Sequence, residues 1–178
     1  MTAEYIGDLK KWVNELARQG SEGETVRLNR AVELIAKNFN VQTHEVAILG
    51  LTSDERSLRF LAPDALRTIG QVPLSSNNSL AARTFREKRG EIINHFTVVP
   101  HASVFEGVPV NEEQRTPPIQ KIMSSPILLG PSAIGVVQVS RKGKTLADAG
   151  GDFTHPQLRE LKTISDALAP CILLCNKD

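Results

Sequence analysis

Four residues of this 178-residue chain invite a chemical reading first. Cys171 and Cys175 stand four apart near the C-terminus and are its two cysteines. On a helix that spacing puts both thiols on one face. With no further cysteine and no histidine beside them, they complete neither a metal cage nor a disulfide framework. A free cysteine on such a face behaves as a small apolar group, so packing is the expected role. A redox-sensitive link between two subunits is the alternative. His95 and His101 are six apart, within a proline-bearing polar stretch over residues 95–118. That spacing does not fall on one helical face, and no third histidine completes a zinc set. They read either as exposed, loop-stabilising side chains or as ligand contacts that respond to pH. The chain has no Gly-x-Ser-x-Gly turn, no phosphate-cradling glycine loop, no His-Glu-x-x-His and no paired acidic motif. No enzyme, no metal and no cofactor is therefore expected.

The elements that must position these groups follow from hydrophobic periodicity. Residues 4–19 read as a helix, with Ile6, Leu9, Val13 and Leu16 at steps of three and four. A second helix runs from Glu24 to Phe39 and ends at Asn38 and Asn40. Glu45–Leu51 and Ser57–Ala62 read as two strands about a polar turn. Val72-Pro73-Leu74 leads to a run from Ser75 to Ser79 that is dense in helix-capping residues. The helix it starts carries Leu80, Ala81, Thr84 and Phe85, with Gly90 as its expected C-cap. Glu91–Asn94 is a short strand. Ile119–Leu129 and Ile134–Lys142 are the last two, folded about Gly130-Pro131-Ser132. Gly135 marks close approach by another segment. Thr154 can cap a closing helix, Phe153 is placed to staple it, and Pro170 is expected to bend it. The order predicts one α+β domain with a central antiparallel sheet of about six strands flanked by helices. The N- and C-terminal helices are expected to pack together on one face of that sheet.

Bulk properties exclude several partners. Lys and Arg total 21 against 20 Asp and Glu, a net charge of +1. Nucleic-acid binding needs a clustered cationic surplus, which this balance does not supply. Arg83, Arg86, Lys88 and Arg89 form the densest basic group and read as a solvated helix face. No apolar run approaches the ~20 residues that span a bilayer. The start, Met1-Thr2-Ala3-Glu4-Tyr5, lacks a signal pattern, so a cytoplasmic location without membrane contact is expected. The two terminal helices share a coiled-coil-like spacing. Across a two-fold axis they could build a four-helix bundle, so residues 1–23 are read as a dimerisation helix and residues 24–178 as the domain.

Several segments carry a resemblance. They are Val46–Leu51; Val72-Pro73-Leu74 followed by Asn78–Arg83; Arg89-Gly90-Glu91-Ile92-Ile93-Asn94; Ser124-Ser125-Pro126-Ile127; Ala133–Val139 with its Ile-Gly-Val core; and Phe153-Thr154 with Leu158 and Leu161. As an ordered set over roughly Thr25–Ile172 they resemble the GAF family of small-molecule-binding regulatory domains. Asn94 stands where that family usually has an acidic residue. The resemblance implies a pocket between the sheet, the internal helix and the long loop. It would draw on Ser79, Asn94, His95, His101, Phe105, Met123, Ser124 and Gln138, with Ser76, Phe60 and Phe96 beside them. Ser76 and Ser79 also read as plain N-caps, Asn94 as a loop brace and Met123 as core. Relatives that reduce methionine sulfoxide or attach bilins need a cysteine at the pocket, and here both cysteines lie in the closing helix. Ser140-Arg141-Lys142-Gly143-Lys144 lacks the Asn-Lys-x-Asp-Glu type motif of cyclic-nucleotide binders. The expected function is a regulatory domain that binds an unidentified small molecule, forms a homodimer through its terminal helices and signals to a separate partner protein. A dimeric interaction scaffold with a filled pocket is the alternative.

Overall fold

A computed structural model describes residues 23–98 and 117–175, together with Lys11. The expected helix over residues 4–19 and most of the loop over residues 95–118 lie outside the described residues. Helix α1 (Glu24–Phe39) buries Leu28, Ala31, Val32, Ile35 and Phe39, the stripe its spacing marks out. Asn40 ends it at φ 52°, a left-handed conformation that asparagine tolerates, and the Val41 amide turns back to the Ala36 carbonyl at 2.9 Å.

The strands are β1 (Val46–Leu51), β2 (Ser57–Ala62), β3 (Gln71–Pro73), β4 (Glu91–Ile93), β5 (Ile119–Leu129) and β6 (Ser132–Lys142). They form one antiparallel sheet in the order β3-β2-β1-β6-β5-β4. β6 is central, as its nearly continuous apolar run predicts. β5 and β6 make a long hairpin in which Leu129 faces Ser132 across Gly130-Pro131, with Gly130 at φ 58°. Pro126 interrupts β5 where β4 no longer runs beside it, since β4 pairs with Ile122, Met123 and Ser124. A proline is tolerated in such an edge stretch.

Side chains alternate across the sheet and so build two different faces. Val46, Ile48, Met123, Ile127, Val137 and Val139 point to one side. There they meet α1 and the closing helix α3 (His155–Cys175), which contributes Leu161, Ile164, Leu168 and Ile172. Each fully buried aliphatic side chain of this kind contributes ~1.5–3 kcal/mol. Ala47, Leu49, Leu58, Phe60 and Val136 point to the other side, where Ala81 and Ala82 of helix α2 (Leu80–Glu87) cover them. Leu80, Phe96, Ile119 and Ile122 extend that second face.

Local chemistry sets the helix ends. The left-handed residue that ends α2 is Lys88, φ 53°, and not the expected Gly90. Gly90 serves close packing instead: a Cβ there would sit 3.1 Å from a Leu158 methyl carbon and 3.3 Å from the Ser124 carbonyl oxygen. At the start of α3, the Thr154 hydroxyl accepts from the Gln157 amide and the Gln157 side chain accepts from the Thr154 amide. This is a capping box, and Phe153 and Leu158 join the same core on either side of it. α3 runs on through Pro170 to Cys175. That proline removes one backbone hydrogen bond without ending the helix.

Gly135 of β6 lies opposite Gly50 of β1 and Ile127 of β5. A Cβ at Gly135 would run into the Leu49 carbonyl oxygen. The obstacle is backbone, which cannot swing aside as a side chain can. Gly135→Ala should therefore lower stability by about 1–3 kcal/mol in urea unfolding. Gly130→Asn, with open space around the site and a side chain that accepts positive φ, should change it far less.

Candidate functional site

The register of β5 on β6 sets Ser124 directly opposite Gln138, both pointing to the α2 face. The cap that starts α2 fixes how the helix crosses them. Ser79 Oγ accepts from the Ala82 amide at 3.2 Å, so Ser79 acts as the N-cap. The helix so placed brings Thr84 onto the strands. Thr84 Oγ1 donates to Ser124 Oγ at 2.8 Å, and Gln138 Nε2 donates to the same oxygen at 3.3 Å. Exposure is 1% for Thr84, 0% for Ser124 and 4% for Gln138. Burying these groups among Ala81, Ala82, Val136 and Ile122 is costly unless their bonding capacity is used. The Gln138 carboxamide has two donors and an acceptor oxygen. Among the described residues, none donates to Gln138 Oε1. The cluster therefore offers a neutral ligand a carbonyl acceptor and hydroxyl groups against apolar walls. Among the described residues, no histidine or carboxylate hydrogen-bonds to it.

The other expected site residues separate. Asn94, at the end of β4, clamps the entry to α3: its Oδ1 accepts from the Phe153 amide at 2.9 Å and its Nδ2 donates to the Phe153 carbonyl at 3.1 Å. A carboxylate at this position could accept but not donate, so asparagine satisfies both backbone groups where an acid would satisfy one. His95 is exposed and lies near Asp152. Met123 is fully buried on the opposite face, among the side chains of α1 and α3, because it is one residue out of phase with Ser124. Phe96 is buried on the α2 face with Leu80, Ile119 and Ile122, and Phe60 on the same face beside Ala81. His101 and Phe105 lie outside the described residues.

Two polar features escaped the sequence reading. Thr84 looks like one more residue of an apolar helix stripe, and its hydroxyl shows a role only once Ser124 is beneath it. Lys121 reads as an outward residue of β5, yet it is 5% exposed. Its Nζ donates to the Gly150 carbonyl at 2.6 Å and to Asp152 Oδ1 at 2.7 Å. The Lys121 hydrogen bond above all holds the Asp152 carboxyl below its ordinary pKa; desolvation opposes it, and the charges of Lys121 and His95 add to the lowering. Arg83 and Glu91 pair through two hydrogen bonds at 2.8 and 3.1 Å, tying α2 to β4. Cys171 and Cys175 are both buried on the α1–α3 side. Burial pushes the Cys171 thiol up, with Arg27 opposing, so it stays protonated and weakly nucleophilic at neutral pH. Among the described residues, no group of three or more His, Cys, Asp or Glu could hold a metal ion. No described helix is long and apolar enough to cross a membrane.

Neither a family model nor a curated protein sequence matches the chain. Solved structures match over nearly its whole length. The GAF domain of an Acinetobacter phosphoenolpyruvate-protein phosphotransferase superposes with a TM-score of 0.70 at 16% identity, covering 98% of this chain and 96% of that one. A GAF domain from a Coxiella burnetii phosphoenolpyruvate-protein phosphotransferase gives 0.70 at 10% identity, over 96% and 93%. The free methionine-R-sulfoxide reductase of Neisseria meningitidis, solved with its substrate, gives 0.63 at 10% identity, over 93% and 86%. The fold is the GAF fold: an open, six-stranded antiparallel sheet with helices on both faces.

Asn94→Ala removes both bonds to Phe153 and leaves a buried segment short of partners. It should cost about 1–3 kcal/mol in chemical unfolding, and Asn94→Asp should recover part of that loss. The Asp152 contribution has a definite sign. Its folded pKa is depressed, so its stabilisation is present above the ordinary carboxylate range of about 4 and is lost as pH falls through the folded value. Melting temperatures of the wild type and Asp152→Asn should therefore differ near neutrality and converge in acid.

Proposed function

We propose that this chain is a regulatory GAF domain that binds a small neutral or weakly polar molecule on the α2 face of its sheet. The observation that carries this reading is the Gln138 carboxamide. It is almost fully buried, its nitrogen leans on Ser124, and its oxygen accepts no hydrogen bond from any described residue. A carboxamide oxygen is a strong acceptor, and a ligand donor would use it here. Ser124 and Thr84 extend the polar edge, and Phe96 and Ile122 supply apolar wall. His95, His101 and Phe105 belong to the loop segment that would close over this face. Ser79 and Asn94 position the helix and strand that frame it. Met123 contributes from behind the sheet, as packing.

A thiol-dependent reductase is disfavoured by position. The cysteines pack on the opposite face, with the sheet between them and Gln138. The reading extends to a cytoplasmic homodimer that acts on a separate partner protein. In it, residues 1–23 and the closing helix form the dimer contact, and residues 24–178 form the sensing domain. Val26 on α1 and Leu174 on α3 are large apolar side chains left 69% and 43% exposed, as a helix-mediated contact requires. The second reading is a dimeric scaffold whose pocket is filled. Phe96, Leu80, Ile119 and Ile122 favour it by occupying part of the α2 face themselves.

Native mass spectrometry of the purified protein, followed by thermal denaturation with any co-purified metabolite, separates the two. Under the sensor reading, a ligand at 100 times its dissociation constant adds ~2.7 kcal/mol, and Gln138→Leu abolishes that gain while keeping the fold. If the dimer persists and neither a retained molecule nor a metabolite panel stabilises it, the scaffold reading replaces the sensor.

A further inference from the structure

A cleft of about 320 Å³ opens at the edge of the sheet, beside β2 and the connection from β2 to β3. Arg59, Arg67, Thr68, Gly70 and Gln71 line it, with Phe60 as part of its apolar floor. The two guanidinium groups tie this edge to two helix ends. Arg59 Nη2 donates to the Cys175 carbonyl of α3 at 2.7 Å, and Arg67 Nη1 donates to the Thr25 hydroxyl of α1 at 2.9 Å.

We propose that this cleft binds a small oxyanion, a phosphate or carboxylate group carried by a molecule of a few heavy atoms. Charge is the first argument. Among the described residues no carboxylate pairs with Arg59. The Asp64 carboxylate faces Arg67 at 3.7 Å, with both side chains about half exposed, so it neutralises little. Two cations thus line one small concavity with one loosely held anion beside them. Unused donor capacity is the second argument. A guanidinium carries five N–H groups. Arg59 spends one on a helix carbonyl and so keeps further N–H groups of its fork unused. The amides of Thr68 and Gly70 also donate to no described backbone carbonyl. Gly70 sits at φ 124° with nothing within 4 Å of a Cβ position, so the chain here keeps an open, unusual backbone conformation. Paired guanidinium and amide donors in a concave site match the geometry of an oxyanion. Size is the third argument, because about 320 Å³ lies at the lower end for ligand cavities and suits a small molecule.

The site is independent of the Gln138 cluster, and the experiment keeps them apart. Thermal denaturation of the full chain is followed against orthophosphate and, separately, malonate, with ionic strength held constant by sodium chloride. A saturable rise with either anion, absent with chloride, is expected. The anion that saturates identifies phosphate or carboxylate as the preferred group. Arg67→Gln should weaken it about tenfold or more, the worth of one charged hydrogen bond, and Arg59→Gln should abolish it. Gln138→Leu should leave it unchanged. Because Arg59 also holds the end of α3, Arg59→Gln could unfold the protein. In that event amide chemical shifts of Thr68, Gly70 and Gln71 during the titration of wild type and Arg67→Gln decide the matter. A rise no larger than chloride gives, a rise that fails to saturate, or equal binding by Arg67→Gln would overturn the proposal.

Discussion

The antiparallel register of β5 against β6 is the constraint on which the rest of this structure depends. Strand side chains repeat with a period of two, so a slip of one residue would exchange the two faces of the hairpin. In the observed register Met123 and Val139 share the α1–α3 core, and Ser124 and Gln138 face α2. Slipped by one, serine and glutamine would meet the aliphatic side chains of α3, and methionine would meet α2. Gly135 pins the same register from the other edge of β6, since the Leu49 backbone leaves no room for a side chain there. The turn at Gly130-Pro131 and the Asn94 clamp on Phe153 then set where the hairpin ends and where α3 begins.

The division of labour between the two faces follows from that register. The α1–α3 face is almost entirely aliphatic and supplies cohesion. The α2 face carries the buried polar atoms and is covered by a short helix, Leu80–Glu87, that a single serine caps. Its stability is therefore local and divisible. The Ser79 cap, the Arg83–Glu91 pair and the Thr84–Ser124 bond each hold one part of α2. A helix held by a few polar contacts over an aliphatic floor opens at lower cost than one buried in a common core.

Much of this was legible in the sequence. The bounds of α1, β2 and β5, the hairpin turn, the close approach at Gly135 and the capped start of α3 follow from periodicity and from residues with narrow backbone preferences. What was not legible depends on long-range geometry. Gly90 resembles a C-cap, but the left-handed residue is Lys88, and glycine is needed for the distance to Leu158 and Ser124. Met123 and Ser124 are neighbours in sequence and opposite in space, which no composition argument separates without the register. Lys121 looks solvated until the 150–152 turn is folded against it. Ser124 and Gln138 were located through the resemblance, which implied a pocket between the sheet and the internal helix, and the register then showed them facing each other. Thr84 has no such signal, because threonine is ordinary on a helix.

The end of α3 is unusual in what holds it. Pro170 deletes one rung of the helical ladder, and a side chain from the sheet edge, Arg59, binds the carbonyl of Cys175 a turn later. The last turn is thus suspended between a missing internal bond and an external tether. Releasing that tether would let the turn fray without disturbing the helix before the proline, so the sheet edge works as a latch on the final segment of α3.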